Sequence, residues 1–216
     1  MRLLFVRHGE PDYMHDCLTE TGKKQAAEVS EVLAKENISK IYASPMGRAL
    51  ETAVFTADKL GISKDDIEIL DYMHELVWGN FDKEPYEDGH PWTISDDLVK
   101  EGWDLNDKSW PKHPYFKNNR VTECSFKTAE GIDRLLQSLG YVRNGMYYTN
   151  KREDDEQYTV ALFSHGGSSS AAIAHILNLT FPYVCATFHS PFTGIVTIRF
   201  DKNPGSVCIP CLEFID

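Results

Sequence analysis

Cysteine is scarce in this chain, long apolar runs are missing, and positive charge is outnumbered. The five cysteines, Cys17, Cys124, Cys185, Cys208 and Cys211, are odd in number and irregular in spacing. That is the pattern expected of a reduced cytosolic protein rather than of a disulfide framework. Cys208-Ile-Pro-Cys211 has the spacing of a metal or redox pair, but no second such pair and no His pair completes a zinc set. No window approaches the roughly 20 apolar residues of a membrane span. The opening MRLLFVRHG places four apolar residues before the next charge, too few for the apolar core of a signal peptide. Lys and Arg number 22 against 33 Asp and Glu, a net charge of -11. Such a field repels nucleic-acid phosphates and anionic lipid, so neither is expected as a partner. An anionic small molecule would need a local basic island.

What is there suits one large domain, because 216 residues, 42% of them hydrophobic, can bury a substantial core. There is no internal repeat and no low-complexity tract. Leu3-Leu4-Phe5-Val6 reads as a short buried strand, being apolar throughout with no helical period. Leu18-Thr19-Glu20-Thr21-Gly22 leads into a helix whose apolar positions are Ala26, Val29 and Leu33. Ile41-Tyr42-Ala43 is a second strand, after which Ser44-Pro45 supplies an N-cap and a first-turn proline. The helix that follows presents Ala49, Ala53, Ala57 and Leu60 and ends at Gly61. Ile67 to Leu70 is a third strand, and Thr159 to Phe163, running into Ser164-His165-Gly166-Gly167 and a further helix, is the clearest buried strand in the sequence.

From about 77 to 127 the pattern breaks. All four tryptophans, Trp78, Trp92, Trp103 and Trp110, fall there among turn residues, which predicts an irregular, lid-like insertion packed by its own aromatics. A helix is expected at Thr128 to Leu139, a solvated connection at Gly140 to Glu156, and closing strands at Ile195 to Phe200 and Val207 to Phe214. Strands joined by helical crossovers imply an α/β fold: a three-layer α/β/α sandwich around a mostly parallel mixed sheet.

Ligands of open α/β sheets collect at the carboxyl ends of the strands. Three strands end there in Arg7-His8, in Ser44-Pro45 leading to Arg48, and in Ser164-His165. With Ser44 as N-cap, Arg48 sits about one turn into its helix, and its side chain leans back toward the crevice of Arg7. Two helix N-termini add free N–H groups and positive dipole ends at the same edge. Two arginines, two histidines and two helix N-termini describe a site for a doubly charged oxyanion, a phosphoryl group foremost.

These residues also carry a resemblance. Arg7-His8-Gly9-Glu10 after a strand resembles the signature of the histidine phosphatase superfamily, which includes the cofactor-dependent phosphoglycerate mutases. Leu18-Thr-Glu-Thr-Gly22-Lys-Lys-Gln25-Ala26, Ser44-Pro45-Met-Gly-Arg48-Ala49-Leu-Glu-Thr52-Ala53, Glu75-Leu-Val-Trp-Gly79 and Ser164-His165-Gly166-Gly167 are similar to its further motifs and follow in its order. The resemblance implies that His8 is a nucleophile forming a phosphohistidine. The resemblance makes Arg7, Arg48 and His165 phosphate-binding residues and Glu75 the general acid/base, while Asp82 and Glu84 are rival carboxylates by their closeness in sequence. It implies no metal and no cofactor. The arginines are expected to depress the pKa of His8, and Gly9 to keep the approach to phosphorus clear. Tyr13, Trp78 and Gly166 are candidates for the substrate pocket, and His189 and Cys185 are assigned no role.

Two departures separate this chain from the mutases. Glu10-Pro11-Asp12-Tyr13-Met14 stands where they carry x-S-x-W-N, and Glu75-Leu-Val-Trp-Gly79 lacks the arginine of their E-R-H-Y-G loop. Hydrolysis of a phosphate monoester, a small molecule or a phosphoprotein, is therefore the expected activity. Mutase-type phosphoryl transfer and a non-catalytic phosphoester-recognition module are the alternatives.

Overall fold

The fold is that of a computed structural model, which describes residues 1–83 and 89–213. Glu84 and Phe214, both named above, lie outside the described residues. The chain falls into two compact units: residues 1–75, 133–166 and 190–216 form the first, and 76–132 with 167–189 the second.

The first unit is built on a six-stranded mixed sheet. Its strands are β1 (Arg2–Arg7), β4 (Ile38–Ala43), β5 (Glu68–Ile69), β8 (Thr159–Ser164), β9 (Ile195–Arg199) and β11 (Cys211–Glu213), in the order β11-β9-β1-β8-β4-β5. The neighbours β1, β8, β4 and β5 run parallel, while β9 is antiparallel to both β1 and β11. The hairpin β2 (Pro11–Asp12) and β3 (Cys17–Leu18) follows β1. Helices α1 (Glu20–Leu33) and α2 (Gly47–Leu60) pack their apolar stripes, Val29 and Leu33 with Ala53 and Ala57, onto Leu4, Val6, Ile41 and Phe163 of the sheet. Thr19 caps α1 by accepting from the amide of Gly22, and Gly61 ends α2 in the left-handed conformation at φ 69°.

The second unit holds α3 (Pro91–Lys100), α4 (Pro114–Lys117), most of α5 (Arg120–Ser138), most of α6 (Gly166–Leu177) and α7 (Phe181–Thr187). Ile94, Leu98, Trp110, Phe116, Val121, Ala171 and Phe181 share one core. Trp110 stands edge-on to Phe116 with ring centroids 5.0 Å apart, a geometry aromatic pairs prefer. The stretch expected to be irregular is thus partly helical, and α5 begins at Arg120 rather than Thr128. Asn119 provides the start signal, its side-chain oxygen accepting from the amide of Val121.

Two further expectations are corrected. The connection at 140–156 contains a hairpin, β6 (Tyr141–Asn144) and β7 (Tyr147–Asn150), turning at Gly145 with φ 62°. Asn144-Gly145 is a strong hairpin signal that the adjacent charged run obscured. The last strand is broken in two: β10 (Val207–Cys208) joins β7 in a separate three-stranded sheet, and only β11 returns to β9. Pro210 lies at the break, and its missing N–H cannot serve a ladder. Cys208 and Cys211 are free thiols, one buried and one exposed. No helix among the described residues is long and apolar enough to cross a membrane.

Candidate active site

The register of the sheet assembles the site. Arg7 is paired with Ser164, and Ala43 with Phe163, so β1, β8 and β4 stop at one edge. The first residues beyond extend the pattern: the amide of His8 donates to the Ser164 carbonyl (3.0 Å) and that of Ser44 to the Phe163 carbonyl (2.9 Å). The structure thereby brings His8, Arg48 and His165 together, each at most 4% exposed. The imidazole centroids of His8 and His165 lie 5.1 Å apart.

His8 has a defined tautomer. Its Nδ1 lies 2.7 Å from the carbonyl oxygen of Gly9, which can only accept, so Nδ1 carries the proton and Nε2 the lone pair. Nε–H of Arg48 points at that lone pair from 3.3 Å. Burial, more than the charges of Arg48 and Arg7, pushes the pKa of His8 down to about 4; the arginines are the smaller cause, contrary to the weight given them above. His165 is pushed down to about 2 by burial and then by Arg48, His8 and His74. Both rings are therefore neutral near pH 7.

Ser44 does not cap α2. The helix starts at Gly47 with Met46 as its cap residue, which makes Arg48 the second helical residue rather than one a full turn in. The Ser44 hydroxyl instead lies 2.8 Å from Nε2 of His165 and accepts from the amide of Met46 (3.3 Å). The N-terminal turn of α2 is occupied by a side chain: Asp16 accepts from the amide of Gly47 (2.8 Å) and from Nη1 of Arg48 (2.6 Å).

Arg7 donates from Nη1 to the carbonyl of Ser190 (2.6 Å), and its guanidinium lies 4.6 Å from the ring centroid of Phe192. Its Nε, like Nδ1 of His165, is buried with no hydrogen-bond partner among the described residues. Buried polar atoms of this kind are costly unless a ligand satisfies them. Thr193, a β-branched residue at φ 57°, turns this loop back so that its amide reaches the carbonyl of His8 (3.2 Å). Strain of that kind concentrates at functional sites.

Gly9 has a different necessity from the one expected. A Cβ there would lie 2.5 Å from the carbonyl oxygen of Gly22, so the glycine lets the loop seat on α1. Gly166 is otherwise: a Cβ on it would rest 3.7 Å from Cζ of Arg7, an ordinary contact. Tyr13 is 69% exposed with its ring centroid 5.4 Å from the Arg48 guanidinium. Trp78 belongs to the second unit, where its ring stands edge-on to His90, and Asp82 there accepts from the side chain of Asn118. Glu75 follows the turn after β5, and its amide lies 3.4 Å from Sδ of Met46, just ahead of α2. Sequence reasoning missed Asp16, His74, Ser190 and Phe192, none of which sits in a local motif.

The model of the histidine phosphatase superfamily (branch 1) matches residues 3–207. A glucosyl-3-phosphoglycerate phosphatase of Mycolicibacterium vanbaalenii is 36% identical over 69 residues, covering 28% of this chain and 31% of that protein. Among solved structures, a mycobacterial glucosyl-3-phosphoglycerate phosphatase aligns with a TM-score of 0.66 at 21% identity, over 98% of this chain and 96% of its own. The phosphoserine phosphatase of Entamoeba histolytica, in complex with 3-phosphoglyceric acid, aligns with a TM-score of 0.60 at 22% identity, over 98% and 94%. At these identities the structural likeness is one of fold: α/β, with a mostly parallel mixed sheet flanked by helices.

Proposed function

We propose that this chain, which belongs to the histidine phosphatase superfamily, hydrolyses small phosphate monoesters in the cytoplasm through a phosphohistidine on His8. The tautomer of His8 carries the reading. Its proton is held on Nδ1 by the Gly9 carbonyl, its lone pair on Nε2 faces Arg48, and its lowered pKa leaves it uncharged at neutral pH. A neutral, oriented imidazole is what nucleophilic attack on phosphorus requires.

Nε2 attacks phosphorus as the bond to the ester oxygen breaks, and Glu75 gives that oxygen its proton. Glu75, now a carboxylate, takes a proton from water as the water oxygen attacks the phosphohistidine. The P–N bond breaks, inorganic phosphate leaves and His8 is restored. Arg7, Arg48 and His165 hold the phosphoryl oxygens through both steps, where charge stabilisation supplies most of the catalysis. The buried, unpartnered Nε of Arg7 and Nδ1 of His165 support this assignment. Relatives named for phosphoglycerate-derived and phosphoserine substrates favour a compact, acidic leaving group.

The test is phosphate release from a panel of monoesters that includes phosphoserine and 3-phosphoglycerate, with chelator present, by the parent and by His8→Ala. Chelator-resistant release, lowered at least about 10³-fold by the substitution, is expected. Conversion of 3-phosphoglycerate to its 2-isomer in the presence of 2,3-bisphosphoglycerate, without net release, would replace hydrolysis by mutase chemistry. Phosphoester binding without any turnover would leave a recognition module.

A further inference from the structure

Arg48 is held from two directions. Its Nε–H is directed at Nε2 of His8, and its Nη1, toward the other edge of the guanidinium, is bound at 2.6 Å by Asp16. Asp16 comes from the turn between β2 and β3, and that hairpin is tied to α2 and ordered within its own turn. The amide of Leu18, in β3, donates to Oε2 of Glu51 on α2 (2.7 Å). At the tip, Asp12 accepts from the amides of Met14 and His15. The docking is tight: a Cβ on Gly47 would lie 2.1 Å from the backbone oxygen of Asp16, so only glycine fits there. Asp16 itself takes φ 49°, a conformation that aspartate tolerates better than most residues. A carboxylate on a seated hairpin thus bonds both the helix that carries Arg48 and the guanidinium itself.

We infer that Asp16 is a positioning residue for phosphoryl transfer, anchoring Nη1 of Arg48 and the amide of Gly47 so that the Nε edge of Arg48 stays aimed at the space beside Nε2 of His8, where an arriving phosphoryl oxygen takes over its N–H and frees the lone pair. The inference rests on the phosphatase reading above. An arginine left to find its own rotamer must be ordered by each arriving substrate, whereas an anchored one is ordered beforehand. The carboxylate is 42% exposed against 5% for the arginine side chain, so a partly exposed ion pair contributes little to fold stability while it aims a buried cation.

The experiment is a double-mutant cycle with Asp16→Ala, Arg48→Ala and the double variant in the full chain, and Asp16→Asn beside them. It is read as kcat/KM for the best monoester of the panel, with thermal unfolding of each variant. Asp16→Ala is expected to lower kcat/KM roughly 10- to 100-fold with little change in melting temperature. In the Arg48→Ala background the same change should cost less than about 3-fold, because its effect passes through Arg48. Asp16→Asn, which keeps one acceptor oxygen, should fall between Asp16→Ala and the parent. Equal losses in both backgrounds, or an unchanged or raised kcat/KM in Asp16→Ala, would overturn the assignment while leaving the phosphatase reading intact. If the parent proves not to hydrolyse, that reading fails by itself, and the same cycle is read on orthovanadate binding. Coupling there would sustain Asp16 as the anchor, and additivity or no vanadate binding would overturn it.

Discussion

The ends of β1 and β8 lie side by side, and each runs into a histidine followed by glycine, yet the two are built for different tasks. After β1 the chain turns into a loop, His8 bonds the carbonyl of its own neighbour, and the glycine is jammed against α1. After β8 the chain enters α6 at Gly166. His165 reaches across to Ser44 on the neighbouring strand's exit, and its glycine faces a guanidinium. One end fixes a lone pair, and the other sets a polar atom ready for an oxygen. The same dipeptide acquires its role from what accepts its hydrogen bonds.

The comparison breaks most visibly on the covalent intermediate. Rapid quenching of a labelled monoester should trap acid-labile phosphate on the parent and on His165→Ala, and none on His8→Ala. His165→Ala should lose roughly 10²- to 10³-fold in turnover, as for removal of one donor to a developing charge. Phosphate trapped equally on His8→Ala would reverse the two roles.

Alanine at each glycine sharpens the contrast on another axis. Gly9→Ala drives a methyl into backbone and should cost about 1–3 kcal/mol of stability. Gly166→Ala meets only ordinary contacts and should melt with the parent, with a smaller loss confined to phosphate affinity. Denaturant midpoints and phosphate inhibition of both variants decide between these patterns.

The smallest effect is the dependence of stability on pH. Both histidines have folded pKa values below the ordinary 6.5, at about 4 for His8 and about 2 for His165. Below pH 6.5 the unfolded chain therefore binds more protons than the folded one, and stability is lost as pH falls. The His8 contribution is fully lost by about pH 4, and that of His165 goes on falling toward about pH 2. Relative to the parent, His8→Gln and His165→Gln should each flatten the pH dependence of the denaturation midpoint between pH 6.5 and 4. Below pH 4 only His165→Gln should flatten it further.

The three strand ends were legible because their signals are local. A short apolar run with no helical period, followed by Arg-His, Ser-Pro or Ser-His, marks a strand and its exit without knowledge of the rest. What escaped is brought in from far along the chain or through backbone geometry. Ser190 meets Arg7 across 183 positions, and Asp16 reaches Arg48 only because a hairpin closes on a glycine. Ser44 was misread for a related reason. A serine before proline looks like a cap, and only the adjacent strand shows that its hydroxyl belongs to His165. The second unit was the hardest to read, since its tryptophans are placed by packing between short helices rather than by period.

The order of the sheet has a consequence for synthesis. The strand Leu3 to Val6 leaves the ribosome long before its partners, β8, starting at Thr159, and β9, starting at Ile195. At translation rates of about 5–20 residues per second, its apolar run waits on the order of ten seconds or more for its first strand neighbour. Arg7 and His8 at its end are thus the earliest parts of the candidate site to be made and among the last to be put in place. A nascent chain halted before Ser190 would carry His8, Arg48 and His165 and lack the loop that holds Arg7, so the anchor of that guanidinium is supplied only after the other three side chains have been made.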